Sequence, residues 1–98
     1  MTATKSSDPI YQQIRDKIEA ELAPDKLIIR DDSHKHKGHS GYNAQGASHL
    51  HITIVADAFN GVSRIARYRV VYDLLAEELR TRIHALSLDL KTKYEYEK

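Results

Sequence analysis

The spacing of the apolar residues changes period along this chain, and these changes define the order of its secondary structure. An early stretch has an apolar residue at every fourth position, as on a helix with one buried face, at Ile10, Ile14, Ile18 and Leu22. A later stretch has one at every second position, as on a strand with one buried face, at Leu50, Ile52, Ile54 and Ala56. The chain therefore predicts helices packed against a sheet.

Short local signals place the first helix and the strand that follows it. Asp8 is a favourable N-cap, Pro9 is a favourable first helical residue, and Pro24 ends the helix. Residues 27–29 are aliphatic and largely β-branched, and a polar segment follows them. Because β-branched residues favour extended backbone, these residues predict a first strand.

A second helix and a third strand are predicted after the turn at residues 60–61. Ser63 is a fair N-cap for a helix of about 19 residues. We expect the buried stripe of this helix at Ile65, Tyr68, Tyr72, Leu75 and Leu79, with Arg64 and Arg67 outside it. The alternation over residues 83–91 predicts the third strand, with His84 packed in the core beside leucines.

The order helix, strand, strand, helix, strand predicts a mixed α/β (α+β) fold. The last strand-helix-strand unit should be a right-handed crossover, which pairs the second and third strands in parallel. The sheet would then have three strands in mixed directions, with helices covering one face. Ninety-eight residues are enough for one such domain.

Composition excludes several classes of function. There is no cysteine, so metal chemistry must use imidazole or carboxylate, and no apolar run approaches the ~20 residues of a membrane span. The net charge of +1 means that nucleic-acid binding must rest on a local basic patch. No nucleophile-base set, phosphate loop or HExxH motif occurs, so we predict no enzyme. The first ten residues resemble no targeting signal and favour a bacterial-type cytosol.

Five of the six histidines lie in one stretch, SHKHKGHSGYNAQGASHLH, which spans residues 33–51. His34, His36 and His39 have a spacing that permits chelation, but Lys35 and Lys37 disfavour a bound cation and no cysteine completes the set. We therefore expect no metal site formed by this chain alone. Three interpretations stay open: one ligand to a metal shared with a partner, a solvated polar loop, or a pH-sensitive surface.

A second candidate surface surrounds the start of the long predicted helix. Arg64, Arg67 and Arg69 are crowded there, where the helix dipole disfavours cations unless an anion or an acidic partner neutralises them. This crowding favours a functional role for the three arginines over a chance arrangement. The patch is small and lacks interleaved aromatic residues of the kind that bind single strands.

Six ordered blocks of the sequence resemble the BolA family over roughly residues 8–92. They are Asp32-Ser33-His34-Lys35-His36, Ser48-His49-Leu50, Ala58-Phe59-Asn60-Gly61, Arg67-Tyr68-Arg69, Ala76-Glu77-Glu78-Leu79 and His84-Ala85-Leu86. The resemblance implies a BolA-like domain with a KH-like fold over residues 8–92. From the residues outside it we expect a flexible N-terminus over 1–7 and a charged C-terminal tail over 93–98. The resemblance also implies two activities, partnership with a monothiol glutaredoxin and transcriptional regulation through DNA. The second activity would use the long helix and the adjoining turn as a phosphate-contacting surface, which could instead receive glutaredoxin. The candidate contact residues are Asn60, Arg64, Arg67 and Arg69.

In the glutaredoxin complex that the resemblance implies, a two-iron two-sulfur cluster is shared with glutaredoxin and glutathione. The chain would be a monomer alone and a heterodimer with its partner. The family's loop ligand falls best on His36, with His34 and His39 as alternatives. Its helix ligand falls on Tyr68, and a phenol is a poorer ligand than imidazole at neutral pH because it keeps its proton. The resemblance therefore leaves cluster ligation through the helix in question.

Overall fold

The computed structural model describes residues 9–32 and 48–97, which form one three-stranded sheet together with four helices. The elements are α1 (Pro9–Leu22), β1 (Lys26–Asp31), β2 (His49–Val55), α2 (Arg64–Leu74), α3 (Ala76–Thr81), β3 (Ala85–Lys91) and α4 (Lys93–Glu97). A short 3-10 turn, Asp57–Phe59, lies between β2 and α2. Within these residues, no helix is long and apolar enough to cross a membrane.

The three strands lie in the order β1-β2-β3, so β1 and β3 are the outer strands. β1 pairs antiparallel with β2, with Ile29 opposite Ile52, and β2 pairs in parallel with β3, with Ile52 opposite Leu88. This register brings the apolar positions of all three strands to one face, as the alternation predicts. The predicted fold class, with its mixed three-stranded sheet, is confirmed.

The core lies between that apolar face and the first helix. The four predicted residues of α1 are buried, as are the four positions predicted for the second strand, the last of which, Ala56, directly follows β2. All of them belong to one cluster with Phe59 and Val71. The opposite face, which we term the open face, carries mostly polar residues such as His51, Thr53 and Ser87, together with the exposed Ile28. The periodicities at residues 10–22 and 50–56 therefore identified the core correctly.

The long second helix differs from its prediction in two ways. It is divided at Leu75, whose φ of −102° and ψ of 19° separate α2 from α3. The predicted apolar stripe is also wrong over its first half, because Ile65 is 66% exposed and Tyr68 and Tyr72 are 38% and 39% exposed. Its second half is correct, since Leu75 is buried and Leu79 packs against the core. The face that is buried carries Arg67 instead, at 5% exposure, together with Val71, Leu75 and Glu78. The buried stripe thus contains two charged side chains, Arg67 and Glu78, which can be buried because ion pairs neutralise them. The spacing of apolar residues does not predict such a stripe.

Helix α4 lies in the segment that was predicted only as a charged C-terminal tail. It begins with a capping box, in which the Thr92 N–H donates to Glu95 Oε1 at 2.9 Å and the Glu95 N–H donates to Thr92 Oγ1 at 3.1 Å. The Tyr96 ring lies 5.4 Å from the Lys26 ammonium, on the open-face side of β1. The signal for this helix was present in the sequence as Thr-x-x-Glu.

Candidate partner and cluster site

The described residues on either side of the candidate loop ligands, Asp32 and Ser48, lie together at one end of the sheet. His34, His36 and His39 lie outside the described residues, which end at Asp32 and resume at Ser48. The Asp32 N–H donates to the His49 carbonyl at 2.8 Å, next to the end of the β1-β2 ladder. The chain therefore leaves the sheet and returns to it beside His49.

Two further histidines meet at this end of the sheet. The rings of His49 and His84 have their centroids 5.4 Å apart and are tilted by 52°. His49 is 8% exposed, and its Nδ1 lies 3.1 Å from Ser48 Oγ. His84 is exposed and precedes β3, so its predicted place in the core is wrong. Its backbone N–H donates to the Ser48 carbonyl at 2.7 Å, which fixes its ring against His49 rather than among the leucines.

A shallow pocket of about 180 Å³ adjoins these histidines. Its lining is Asp32, His49, Leu50, Ala85, Leu86 and Ser87. On the neighbouring open face, His51 Nδ1 lies 3.0 Å from Ser87 Oγ. Over residues 9–32 and 48–97, no group of three or more histidine or carboxylate side chains could hold a metal ion. This end of the sheet therefore concentrates imidazoles without forming a complete metal site in the described part of the chain.

Arg67, one of the candidate contact residues, is directed into the protein. Its Nε donates to the Val62 carbonyl at 2.8 Å and its Nη1 to the Leu90 carbonyl at 3.2 Å. The two guanidinium nitrogens also bind the Glu95 carboxylate, at 2.7 and 3.1 Å. A guanidinium that is buried and bonded in this way does not suit an external contact with DNA or a partner. It joins α2 to β3 and α4 instead.

The ion pair with Arg67 changes the acidity of Glu95. Hydrogen bonds from the Arg67 guanidinium, and then from the Thr92 N–H, lower the pKa of the Glu95 carboxyl to about 2. The charge of Arg64 acts in the same direction more weakly. Glu95 therefore stays ionised near neutral pH, and it keeps Arg67 neutralised.

The other candidate contact residues remain on the surface. Asn60, Arg64 and Arg69 are exposed, and Gly61 beside Asn60 has a φ of +76°, which suits the turn. Within the described ranges, neither Arg64 nor Arg69 forms an ion pair with a carboxylate. The structure thus separates the predicted basic patch into one buried arginine and two exposed ones.

Tyr68 lies at the outer edge of the sheet, where it belongs to a row of three donors. The phenol of Tyr68 donates to the Leu88 carbonyl at 3.3 Å, and that of Tyr72 donates to the Leu86 carbonyl at 3.2 Å. Arg67 donates to the Leu90 carbonyl in the same row. Tyr68, at the position where the resemblance places the helix ligand, is therefore a hydrogen-bond donor, and so is its neighbour Arg67.

The described residues do not fit a cluster held by one loop ligand and one helix ligand. A phenol binds a metal after losing its proton, whereas the Tyr68 phenol uses its proton to bond Leu88. No imidazole takes its place on α2, whose sequence is RIARYRVVYDL. The predicted loop ligands His36, His34 and His39 lie outside the described residues, and their role stays a prediction.

The fold and the site together define a small α+β domain that carries its imidazoles at one end of a mixed sheet. The family model described as BolA-like protein matches residues 18–95. The chain belongs to the BolA-like family, as the six sequence blocks indicated.

Relatives and solved structures agree with this assignment. The chain is 42% identical over 87 residues to the SufE-like protein 1, chloroplastic/mitochondrial, of Arabidopsis thaliana, covering 85% of this chain and 24% of that protein. It is 36% identical over 88 residues to the DNA-binding transcriptional regulator BolA of Escherichia coli K12, covering 90% and 80%. The solved BolA domain of SufE1 from Arabidopsis matches with a TM-score of 0.76 and 44% identity, covering 86% of this chain and 92% of that chain.

These similarities bear on function and compartment only in part. The chain spans about a quarter of the Arabidopsis SufE-like protein and about half of a second Arabidopsis relative, the chloroplastic protein BOLA1. The names of these relatives include a transcriptional regulator and no enzyme. Because two of them are named for organelles, the expected cytosol of bacterial type stays a prediction.

Proposed function

We propose that this chain is a non-enzymatic BolA-like adaptor that pairs with a monothiol glutaredoxin in iron-sulfur cluster handling or in iron and redox signalling. In this proposal the partner and its glutathione supply the thiolates, which a chain without cysteine cannot supply. The chain supplies an imidazole, for which His36 is the first candidate and His34 and His39 are the alternatives. It is a monomer alone and a heterodimer with its partner.

One observation carries the proposal, which is the place at which the histidine-rich stretch joins the sheet. Asp32, which precedes the candidate ligands, and Ser48, which follows them, lie beside the tilted rings of His49 and His84. The segment with the candidate ligands is therefore tethered at the end of the sheet that carries the His49 and His84 imidazoles, and in the proposal a partner that brings thiolates to that end completes a mixed ligand set. The lysines of the stretch oppose a free cation, but they favour an assembly that carries net negative charge, as a thiolate-ligated cluster does.

The burial of Arg67 supports this function over DNA binding. Of the three arginines expected to contact phosphates, only Arg64 and Arg69 are exposed. They are five positions apart, which places them about 140° apart around the helix axis. Two separated cations are a weak electrostatic surface for a duplex, whose affinity for proteins depends on several phosphate contacts.

The test is to mix the chain with cluster-loaded monothiol glutaredoxin and to record visible circular dichroism and the elution volume of the mixture. We expect a heterodimer with a changed spectrum, and His36→Ala should reduce that change. His51→Ala is the matched control, because His51 lies on the open face beside Ser87 and outside the segment with the candidate ligands. An unchanged spectrum together with separate elution of the two proteins would reject the proposal.

A transcriptional regulator that contacts DNA is the second candidate, favoured by the name of the Escherichia coli relative. Its surface would comprise Asn60, Arg64 and Arg69, which are exposed around the start of α2. Arg67 would support that surface from within rather than contact a phosphate. The salt dependence of DNA binding distinguishes this candidate from the adaptor.

A further inference from the structure

We infer that Tyr68 closes the outer edge of the sheet and is not a ligand, so that the chain contributes to a shared cluster only through residues outside α2. The first half of this inference concerns the described structure alone. The second half rests on the proposed function and specifies how its site is formed. The contact that carries both is the hydrogen bond from the Tyr68 phenol to the Leu88 carbonyl.

β3 is an outer strand, so the backbone groups on its free side have no neighbouring strand. The carbonyls of alternate residues in a strand point to the same side, and here they are those of Leu86, Leu88 and Leu90. Each of them accepts a hydrogen bond from a side chain of α2, at distances of 3.2 to 3.3 Å. Tyr72, Tyr68 and Arg67 thus satisfy three successive acceptors of the edge.

This row of donors accounts for the exposed tyrosines of α2. A tyrosine at the rim of a core packs its ring on apolar atoms and directs its hydroxyl to a polar partner. Tyr68 and Tyr72 lie four positions apart and therefore on the same side of the helix, which runs along the edge of β3. Their half-exposed rings follow from this position and do not require a second macromolecule to cover them.

The same contact argues against ligation by Tyr68. Ligation would require the phenol to lose the proton that it donates and to turn away from Leu88. The Leu88 carbonyl, on a residue that is 8% exposed, would then lose this donor. A neutral histidine at position 68 would not have to lose a proton in order to bind a metal. Since an occupied edge also resists pairing with a further strand, a partner should not extend the sheet at β3.

The first part of the experiment uses the chain without any partner. In Tyr68→Phe the Leu88 carbonyl carbon should move upfield in the NMR spectrum, because it loses a hydrogen bond. Tyr72→Phe should move the Leu86 carbonyl in the same way and serves as a second test of the row. Tyr96→Phe is the control, because within the described residues the Tyr96 hydroxyl makes no hydrogen bond. An unchanged Leu88 carbonyl shift in Tyr68→Phe would overturn the inference that Tyr68 closes the edge of the sheet.

The second part adds cluster-loaded glutaredoxin and compares the wild-type chain with Tyr68→Phe by visible circular dichroism. Equal spectral changes for the two chains are expected, since neither offers a ligand at position 68. Loss of the change in Tyr68→Phe, with the heterodimer still formed, would show that the phenol is a ligand and would overturn the inference. If the wild-type chain itself neither binds nor changes the spectrum, the proposed function fails, and the Leu88 signal still decides the role of Tyr68 at the edge.

Discussion

Arg67 and Glu95 form a two-point ion pair that fastens the C-terminal helix to the rest of the domain. The guanidinium nitrogens lie 2.7 and 3.1 Å from the two carboxylate oxygens, and the arginine is 5% exposed. Because the same guanidinium also bonds the carbonyls of Val62 and Leu90, one side chain links α2, β3 and α4. A candidate contact residue therefore has a structural role, and that role can be measured.

Arg67→Ala should lower the free energy of unfolding by about 2 to 4 kcal/mol, because it leaves two backbone carbonyls and a carboxylate without their donor. Urea unfolding, followed by far-ultraviolet circular dichroism, measures this loss. Arg69→Ala is the matched control on the same helix, and its exposed side chain should change the stability by less than about 0.5 kcal/mol. Equal, small effects in the two variants would contradict the structural role of Arg67.

The Glu95 contact should also appear in the pH dependence of stability. The folded-state pKa of Glu95 is lowered to about 2 from an ordinary 4.5, so its stabilising effect is complete above pH 4.5. The effect is lost as the pH falls from 4.5 towards 2, because the folded carboxylate then takes up its proton. Wild type should exceed Glu95→Gln in stability at pH 6, and the difference should shrink over that interval.

The same comparison separates Glu95 from the other carboxylate with a lowered pKa. Burial raises the pKa of Glu78, but hydrogen bonds from Lys17 and Gln13 outweigh it and lower the pKa overall. Glu78 is present in both proteins, so its titration cancels in the difference between wild type and Glu95→Gln. A difference in stability that stays constant from pH 6 to pH 2 would contradict the ion pair.

The accuracy of the sequence prediction depended on how local the determining interactions are. The period of α1 and β2 reports which side chains meet the core, and both were predicted correctly because neighbouring residues suffice to define them. The orientation of α2 was predicted wrongly, because Arg67 is buried by virtue of Glu95, 28 positions later. No apolar pattern contains that information. Tyr68 and Tyr72 were predicted to be buried because tyrosine counts as apolar, but their hydroxyl groups bond carbonyls at the β3 edge.

The candidate site was predictable to a smaller extent. The sequence identified the histidine-rich stretch and the departure at Tyr68, and it expected a packing role for that tyrosine. It did not show that Asp32 and Ser48, on either side of the candidate ligands, lie beside the tilted rings of His49 and His84, because ring contacts depend on the pairing of strands distant in the chain. The assignment of His34, His36 or His39 as a ligand stays a prediction.

Tyr68→His should give the chain a second ligand and change the visible spectrum of the complex with cluster-loaded glutaredoxin. A neutral imidazole offers a lone pair near pH 7 without losing a proton, which the phenol does not. The measurement is visible circular dichroism of the wild-type and Tyr68→His complexes at equal loading. Tyr96→His places the same imidazole on α4 and is the control. Identical spectra for wild type and Tyr68→His would show that position 68 lies outside the reach of the cluster.

If the chain binds DNA, Arg64→Ala and Arg69→Ala should each weaken binding to all sequences to a similar degree. Each exposed arginine that neutralises a phosphate contributes about one unit to the slope of log affinity against log salt concentration. Fluorescence anisotropy with a labelled duplex at several salt concentrations measures that slope. Arg80→Ala is the matched control, because Arg80 is an exposed helical arginine that is already paired with Glu77. Slopes that do not change in Arg64→Ala and Arg69→Ala would remove this surface from the DNA interface.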